Sequence, residues 1–71
     1  MQRTPVSSSD LRSVGYDAAT NVLEIEFHNS SIYVYMGVPS SHYQGLMSAP
    51  SKGSYFATHI KKGGYPYRKI R

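Results

Sequence analysis

Apolar and polar residues alternate most clearly between Val22 and Phe27. A period of two places the apolar side chains on one face and the glutamates on the other, which predicts a half-buried β-strand. The run from Ile32 to Met36 is rich in β-branched and aromatic residues and predicts a second strand. Leu11–Asp17 predicts another strand before these two. Because the connecting stretches are short and polar, the three strands are predicted to form an antiparallel meander.

The length of the second connection decides which face of the third strand is buried. If residues 29–30 form a two-residue loop, Ile32 and every second residue after it point inward. If residues 29–31 form a three-residue loop, Tyr33 and Tyr35 point inward instead. The segment lacks the glycine that two-residue turns prefer, which favours the longer loop, although composition leaves both alternatives open.

Two short helices are predicted after the strands. The first begins at an N-cap, Ser40, and ends before Pro50, and its apolar residues recur at helical spacing. The second begins at another N-cap, Ser51, and Gly63 can close it. The resulting prediction is an α+β fold of the order β-β-β-α-α, in which both helices pack on one face of the sheet and the other face stays open.

These boundaries divide the chain into three parts. Residues 1–10 are predicted to be an irregular lead, residues 11–62 a single domain, and residues 63–71 an extended basic tail that carries Tyr-Pro-Tyr. A chain of 71 residues has no room for a second domain or a deep substrate cavity. Without cysteine, a disulfide and a thiolate metal site are excluded.

No secretory signal or membrane-spanning run is recognisable, so we expect a cytoplasmic protein without a membrane partner. The three histidines match no metal-ligand spacing, and no cofactor motif or catalytic constellation is present. We therefore predict no metal site, no cofactor and no enzymatic activity.

Charge is distributed unevenly along the chain. Residues 1–26 contain four acids and two arginines, whereas residues 27–71 contain six cations and no acid. Clustered cations favour a polyanionic partner, although a solubilising basic tail would have the same composition. The candidate phosphate-binding residues are Lys52, Lys61, Lys62, Arg68, Lys69 and Arg71.

Seven tyrosines in a chain without tryptophan form a second candidate feature. Aromatic rings beside cations can stack on nucleobases, which makes Tyr33, Tyr35, Tyr65 and Tyr67 candidate stacking residues. The alternative is that tyrosine replaces phenylalanine in a small core and keeps its hydroxyl in water.

The start of the second predicted helix is a candidate anion site. Ser51, Gly53 and Ser54 surround Lys52 there, and free backbone N–H groups could donate hydrogen bonds to a phosphate. An ordinary N-cap with an exposed lysine is the alternative.

Several segments resemble the KTSC domain, a short module found at the C-terminus of some lysyl-tRNA synthetases and as free-standing bacterial and phage proteins. The resembling residues are Val6-Ser7-Ser8, Gly15-Tyr16-Asp17, Leu23, Phe27, Tyr33-Val34-Tyr35, Val38-Pro39, the run from Ala49 to Phe56, His59-Ile60 and Tyr65-Pro66-Tyr67. Ser30 stands where relatives often carry a turn glycine, and Ala57 where an asparagine is frequent. The resemblance covers nearly the whole chain and implies an association with RNA.

The combined prediction is a non-catalytic module that binds RNA or a nucleotide-like anion through its acid-free C-terminal half. The alternative is a protein-interaction or inhibitor module, including a homo-oligomer that sequesters a small nucleotide between subunits.

Overall fold

A five-stranded antiparallel sheet forms the centre of the protein, and its strands follow one another in chain order. The computed structural model describes residues 2–71. The strands are β1 (Thr4–Pro5), β2 (Leu11–Asp17), β3 (Val22–Phe27), β4 (Ile32–Met36) and β5 (Tyr67–Lys69). The α+β class and the bounds of the three central strands agree with the sequence prediction.

The prediction of a three-stranded meander was wrong because both ends of the chain add an edge strand. In β1, Thr4 lies opposite Val14, and Pro5, which lacks an N–H donor, lies at the edge of the sheet where that loss is tolerated. In the tail, Tyr67 pairs with Tyr35 and extends the sheet beyond β4. Strands of two and three residues show no detectable alternation, so only pairing with a neighbour defines them.

The β3–β4 hairpin turns the tyrosines of β4 toward the helices, as the longer loop predicted. Ile25 lies opposite Tyr33 and Leu23 opposite Tyr35, so these four side chains share one face. The backbone closes through a hydrogen bond from the Phe27 amide to the Ser31 carbonyl, which makes residues 28–30 the three-residue loop, one position earlier than predicted.

Ser30 in this loop takes a left-handed conformation with φ of 71°. Such a conformation favours glycine, because a side chain crowds the backbone there. This explains physically why a turn glycine suits the position.

Two helical segments cover one face of the sheet. Helix α1 (Ser40–Ser48) is followed by α2 (Lys52–Tyr55), which continues into a π-helical stretch, Phe56–Ile60, and a 3₁₀ turn, Lys61–Gly63. The Ser51 hydroxyl accepts a hydrogen bond from the Ser54 amide and caps α2 as predicted. The predicted Ser40 cap of α1 is wrong, because Pro39 occupies the N-cap position and Ser40 is the first residue of the helix. The left-handed residue that closes this segment is Gly64, with φ of 78°, and not Gly63.

The core lies between these helices and the sheet. Leu46 of α1 and Ile60 of the π-helical stretch are completely buried. They pack in one cluster with Leu11, Val14, Leu23, Ile25, Tyr35, Val38 and Phe56. No helix among residues 2–71 is long and apolar enough to cross a membrane.

Candidate functional site

A cavity of about 490 Å³ opens beside the last two strands of the sheet, on the face that the helices cover. We call it the tyrosine pocket. Its lining residues are Phe27, Asn29, Tyr33, Tyr35, Phe56, Lys61 and Tyr67. The pocket combines strand residues, one residue of the β3–β4 loop and two residues of the helical segment, so it exists only in the folded chain.

Strand pairing and the π-helical stretch bring the aromatic rings together. The ring centroids of Tyr35 and Tyr67, which face each other across β4 and β5, are 5.5 Å apart. Tyr33 lies 6.1 Å from Tyr67. Phe56 approaches Tyr35 to 5.4 Å and Phe27 to 5.6 Å, both in edge-to-face geometry. These spacings are those of interacting aromatic pairs, so the rings form a continuous apolar surface.

Exposure changes steeply from the floor of the pocket to its rim. Tyr35 is only 6% exposed and forms the floor, whereas Tyr67 is 63% exposed and forms the outer wall. Burial raises the pKa of the Tyr35 hydroxyl, and the neighbouring Tyr33 and Tyr67 add to the rise. The Tyr35 hydroxyl is therefore protonated and able to donate a hydrogen bond at neutral pH.

The pocket is electropositive. Lys61 belongs to its lining. Lys69 lies opposite Tyr33 on β5 and so points to the same face of the sheet. No carboxylate is among the lining residues found in residues 2–71. An aromatic surface beside two exposed lysines suits a ligand that has both a flat ring and a negative charge.

The other predicted phosphate-binding residues lie elsewhere. Lys52 donates a hydrogen bond to the Ala49 carbonyl at 3.2 Å, beside a small polar hollow that three N-terminal serines help to line. Arg68 lies opposite Val34 and therefore points to the open face of the sheet. Lys62 is exposed in the 3₁₀ turn. The structure thus brings one of the six candidate cations, Lys61, into the pocket lining and places Lys69 on the same face of the sheet.

The predicted stacking tyrosines also divide between two places. Tyr33, Tyr35 and Tyr67 meet in the pocket, whereas Tyr65 packs near His42, with ring centroids 6.2 Å apart. Sequence reasoning missed the contributions of Phe27 and Phe56 to the pocket. Both lie on apolar faces that predict core residues, and no sequence signal separates a core ring from one at the edge of a pocket.

The start of α2 already has a negative charge beside it. The Asp10 carboxylate lies so close to Gly53 that a Cβ atom at this position would collide with it. Together with the Ser51 cap, this contact favours the alternative of an ordinary helix cap over an anion site for Ser51, Gly53 and Ser54.

A charge network crosses the open face of the sheet and joins both edges to β3. Arg3, which precedes β1, forms an ion pair with Glu24, and Glu24 is 8% exposed. The Ser13 hydroxyl donates to Glu26 Oε1 at 2.8 Å, and Arg71 reaches Glu26 Oε2 at 3.3 Å. Arg71, a predicted phosphate-binding residue, thus has an intramolecular partner.

The hydrogen bond from Ser13 is the main reason why the pKa of Glu26 lies below its ordinary value of 4.5. Desolvation of the carboxylate raises this pKa, whereas the positive charges of Arg3, Arg12 and Arg71 lower it further. The pKa is lower in the folded chain than in the unfolded chain, so this carboxylate stabilises the fold at neutral pH.

We expect the contribution of Glu26 to be complete above pH 4.5 and to be lost as the pH falls through its lower folded-state value. Urea unfolding at neutral and acidic pH measures this contribution as a change in the free energy of unfolding. The proteins compared are the wild type, Glu26→Gln and Ser13→Ala. The wild type should lose more stability on acidification than either variant. An equal loss in Glu26→Gln would contradict the role of this carboxylate.

Comparisons with known proteins agree with one another. The KTSC domain profile matches residues 7–65. The crystal structure of a KTSC domain protein from Yersinia pestis superimposes with a TM-score of 0.92 at 48% identity and covers 99% of this chain and 97% of that one. A protein of Stutzerimonas stutzeri is 40% identical over 70 residues, which are 99% of each chain.

A lysine–tRNA ligase of a Nostoc species is also similar. It is 39% identical over 62 residues, which are 87% of this chain but only 11% of the ligase. The sequence resemblance is therefore confirmed by a profile, by a solved structure and by full-length similarity. This chain belongs to the KTSC domain family.

Proposed function

We propose that this KTSC chain is a non-catalytic module that binds single-stranded RNA or a nucleotide through the tyrosine pocket. The observation that carries the proposal is the meeting of three tyrosines and Lys61 around one cavity of about 490 Å³. Bases stack on tyrosine rings whatever their sequence, and lysine contacts phosphate. Tyr67, at 63% exposed, is accessible to such a base.

The positive charge of the pocket favours a nucleotide over the other ligands that aromatic sites bind. Aromatic cages that bind quaternary ammonium groups attract a cation to the ring faces. Here Lys61 lines the pocket and Lys69 is beside it, so a cationic ligand would be repelled. A neutral apolar ligand would leave both lysines unused, whereas a nucleotide uses the rings and the lysines together.

Similarity to lysine–tRNA ligases gives weaker support. The related segment of those enzymes belongs to a protein whose name indicates that it acts on tRNA. This association is compatible with RNA binding but says nothing about which atoms make the contact.

Salt-dependent binding of a labelled single-stranded RNA of roughly eight nucleotides tests the proposal. We expect the association constant to fall with salt concentration, because phosphate contacts release counterions. Lys61→Gln should lower the salt slope by about 0.7, the value for one contact with a single strand. Lys52→Gln, which removes a lysine outside the pocket, is the matched control and should leave the slope unchanged. Undetectable binding of RNA and nucleotides at low salt would overturn the proposal.

A protein-interaction role is the second candidate, and the free edge of β5 favours it. Tyr67, Arg68 and Lys69 are all exposed. Edge strands accept an extended segment of another chain through their free backbone groups. The positive charge of β5 would select an acidic segment. Capture of one acidic protein that persists after nuclease treatment and is lost in Lys69→Pro, which removes a backbone donor from the free edge, would favour this role over RNA binding.

A further inference from the structure

The face of the sheet that the helices leave open carries an apolar strip. The tyrosines of β4 point to the helices, so Ile32, Val34 and Met36 lie along the middle of the open face. Met36 is 38% exposed, and Ile70, which follows β5 on the same face, is 48% exposed. A surface on which charged residues flank apolar side chains is typical of a contact with another macromolecule.

Strand register fixes where the charges lie relative to this strip. Glu24 on β3 and Arg68 on β5 both lie opposite Val34, so an acid, a valine and a base form one row across the open face. Arg68 is exposed and forms no ion pair within residues 2–71. Glu24 uses Oε2 for its ion pair with Arg3, which leaves Oε1 as an acceptor for a second cation.

We propose that two copies of this chain pack their open faces together around a two-fold axis that runs parallel to β4, between the two sheets. This rotation places β3 of each copy over β5 of the other. Glu24 of each copy therefore faces Arg68 of the other, and both ion pairs form at once. Val34 and Met36 face the same residues of the second copy across the axis, which makes the centre of the contact apolar.

The other two-fold arrangement of facing sheets is electrostatically unfavourable. An axis perpendicular to the strands would place β3 over β3 and β5 over β5. Glu24 would then face Glu24, and Arg68 would face Arg68, and such like-charge contacts are repulsive. The charge row is complementary to itself only under the first rotation. A second copy of this chain is therefore the partner that the row identifies.

The proposed dimer leaves the tyrosine pocket of each copy accessible. The pocket opens on the face that the helices cover, which is opposite the proposed contact, so the two pockets lie on the outer sides of the dimer. This arrangement differs from a homo-oligomer that sequesters a nucleotide between subunits. The inference does not rest on RNA binding, and either proposal can fail without the other.

Sedimentation equilibrium of the wild-type chain over a range of concentrations tests the dimer. Four strand spacings make the sheet only about 19 Å wide, so the contact belongs to the small end of protein interfaces. We therefore expect the average mass to rise from one chain toward two as the concentration increases to about 1 mM. A chain that remains monomeric at this concentration overturns the proposal.

Arg68→Glu is expected to raise the dissociation constant of the dimer at least about tenfold, because a glutamate there would face Glu24 of the other copy. Lys69→Glu is the matched control. It makes the same change of charge on the next residue of β5, whose side chain points to the helix-covered face, and should leave the dissociation constant unchanged. Equal weakening in both variants would show that the copies meet along the edge of β5, and the face-to-face dimer would be wrong.

Mixing Arg68→Glu with Glu24→Lys tests the register of the contact. Each variant by itself places like charges opposite each other, whereas a mixed dimer contains two pairs of opposite charge. We expect the mixture to associate at least about tenfold more tightly than either variant alone. Association of the mixture no tighter than that of the single variants overturns the proposed two-fold arrangement.

Met36→Lys is a second variant that leaves the ion pair between Arg3 and Glu24 in place, so it tests the contact even if Glu24→Lys does not fold. Met36 is partly exposed, and its replacement creates no buried charge within one copy. In the dimer, two lysines would meet across the axis and should abolish association. A dimer that persists in Met36→Lys overturns the proposal.

Discussion

Replacing Tyr67 by alanine is expected to weaken binding of single-stranded RNA by roughly 5-fold to 150-fold, because one stacked base on an aromatic ring is worth about 1–3 kcal/mol. The ring is 63% exposed and forms the outer wall of the tyrosine pocket, so its loss removes contact area for a ligand. Fluorescence anisotropy with a labelled oligonucleotide measures the change. Tyr67→Phe should keep most of the affinity, because it keeps the ring.

Ile70→Ala is the matched control for Tyr67→Ala. Ile70 follows β5 directly and is 48% exposed. Its amide donates a hydrogen bond to the Ile32 carbonyl, and its side chain lies on the opposite face of the sheet from Tyr67. This variant should leave RNA affinity unchanged. If both variants weaken binding equally, the ligand lies along the edge of the sheet and not in the pocket.

Leu46→Ala is expected to lower the free energy of unfolding by about 2–5 kcal/mol, the cost of deleting a fully buried leucine side chain. Leu46 is 0% exposed and is the buried residue through which α1 joins the core. In a domain of this size such a loss lowers the thermal midpoint by about 10 °C or more. Circular dichroism during heating measures it.

Gln44→Ala in the same helix is the control for Leu46→Ala. Gln44 is exposed, so its truncation leaves no cavity and should change stability by less than about 0.5 kcal/mol. A small effect of Leu46→Ala would mean that α1 contributes little to the core. The helix that covers the sheet would then be only loosely attached.

Local pattern predicted the central strands because each has its own signal. The alternation in Val22–Phe27 and the β-branched and aromatic run in Ile32–Met36 define strands whatever surrounds them. The edge strands β1 and β5 lack such a signal, since they are two and three residues long. Their backbone groups are held by pairing with residues about ten and thirty positions away.

The candidate site, like the sheet, was only partly predictable from the sequence. Composition identified tyrosines and cations in the C-terminal half as candidates, and three of the tyrosines meet Lys61 in one pocket. Charge counting treated Lys61 and Arg71 alike, although Arg71 reaches Glu26 at 3.3 Å on the other face. A residue's sequence neighbours do not reveal on which face of a sheet its side chain meets a distant partner.

By itself, the sequence determined the α+β class, the three central strands, the two helical segments and the membership in the KTSC domain family. These follow from periodicity, capping residues and motif order, which are properties of neighbouring residues. Only the tertiary structure decided that the ends of the chain complete the sheet, that Tyr65 leaves the tyrosine cluster, and that Phe27 and Phe56 join it. Those outcomes depend on strand register and helix packing, because contacts between distant residues stabilise them.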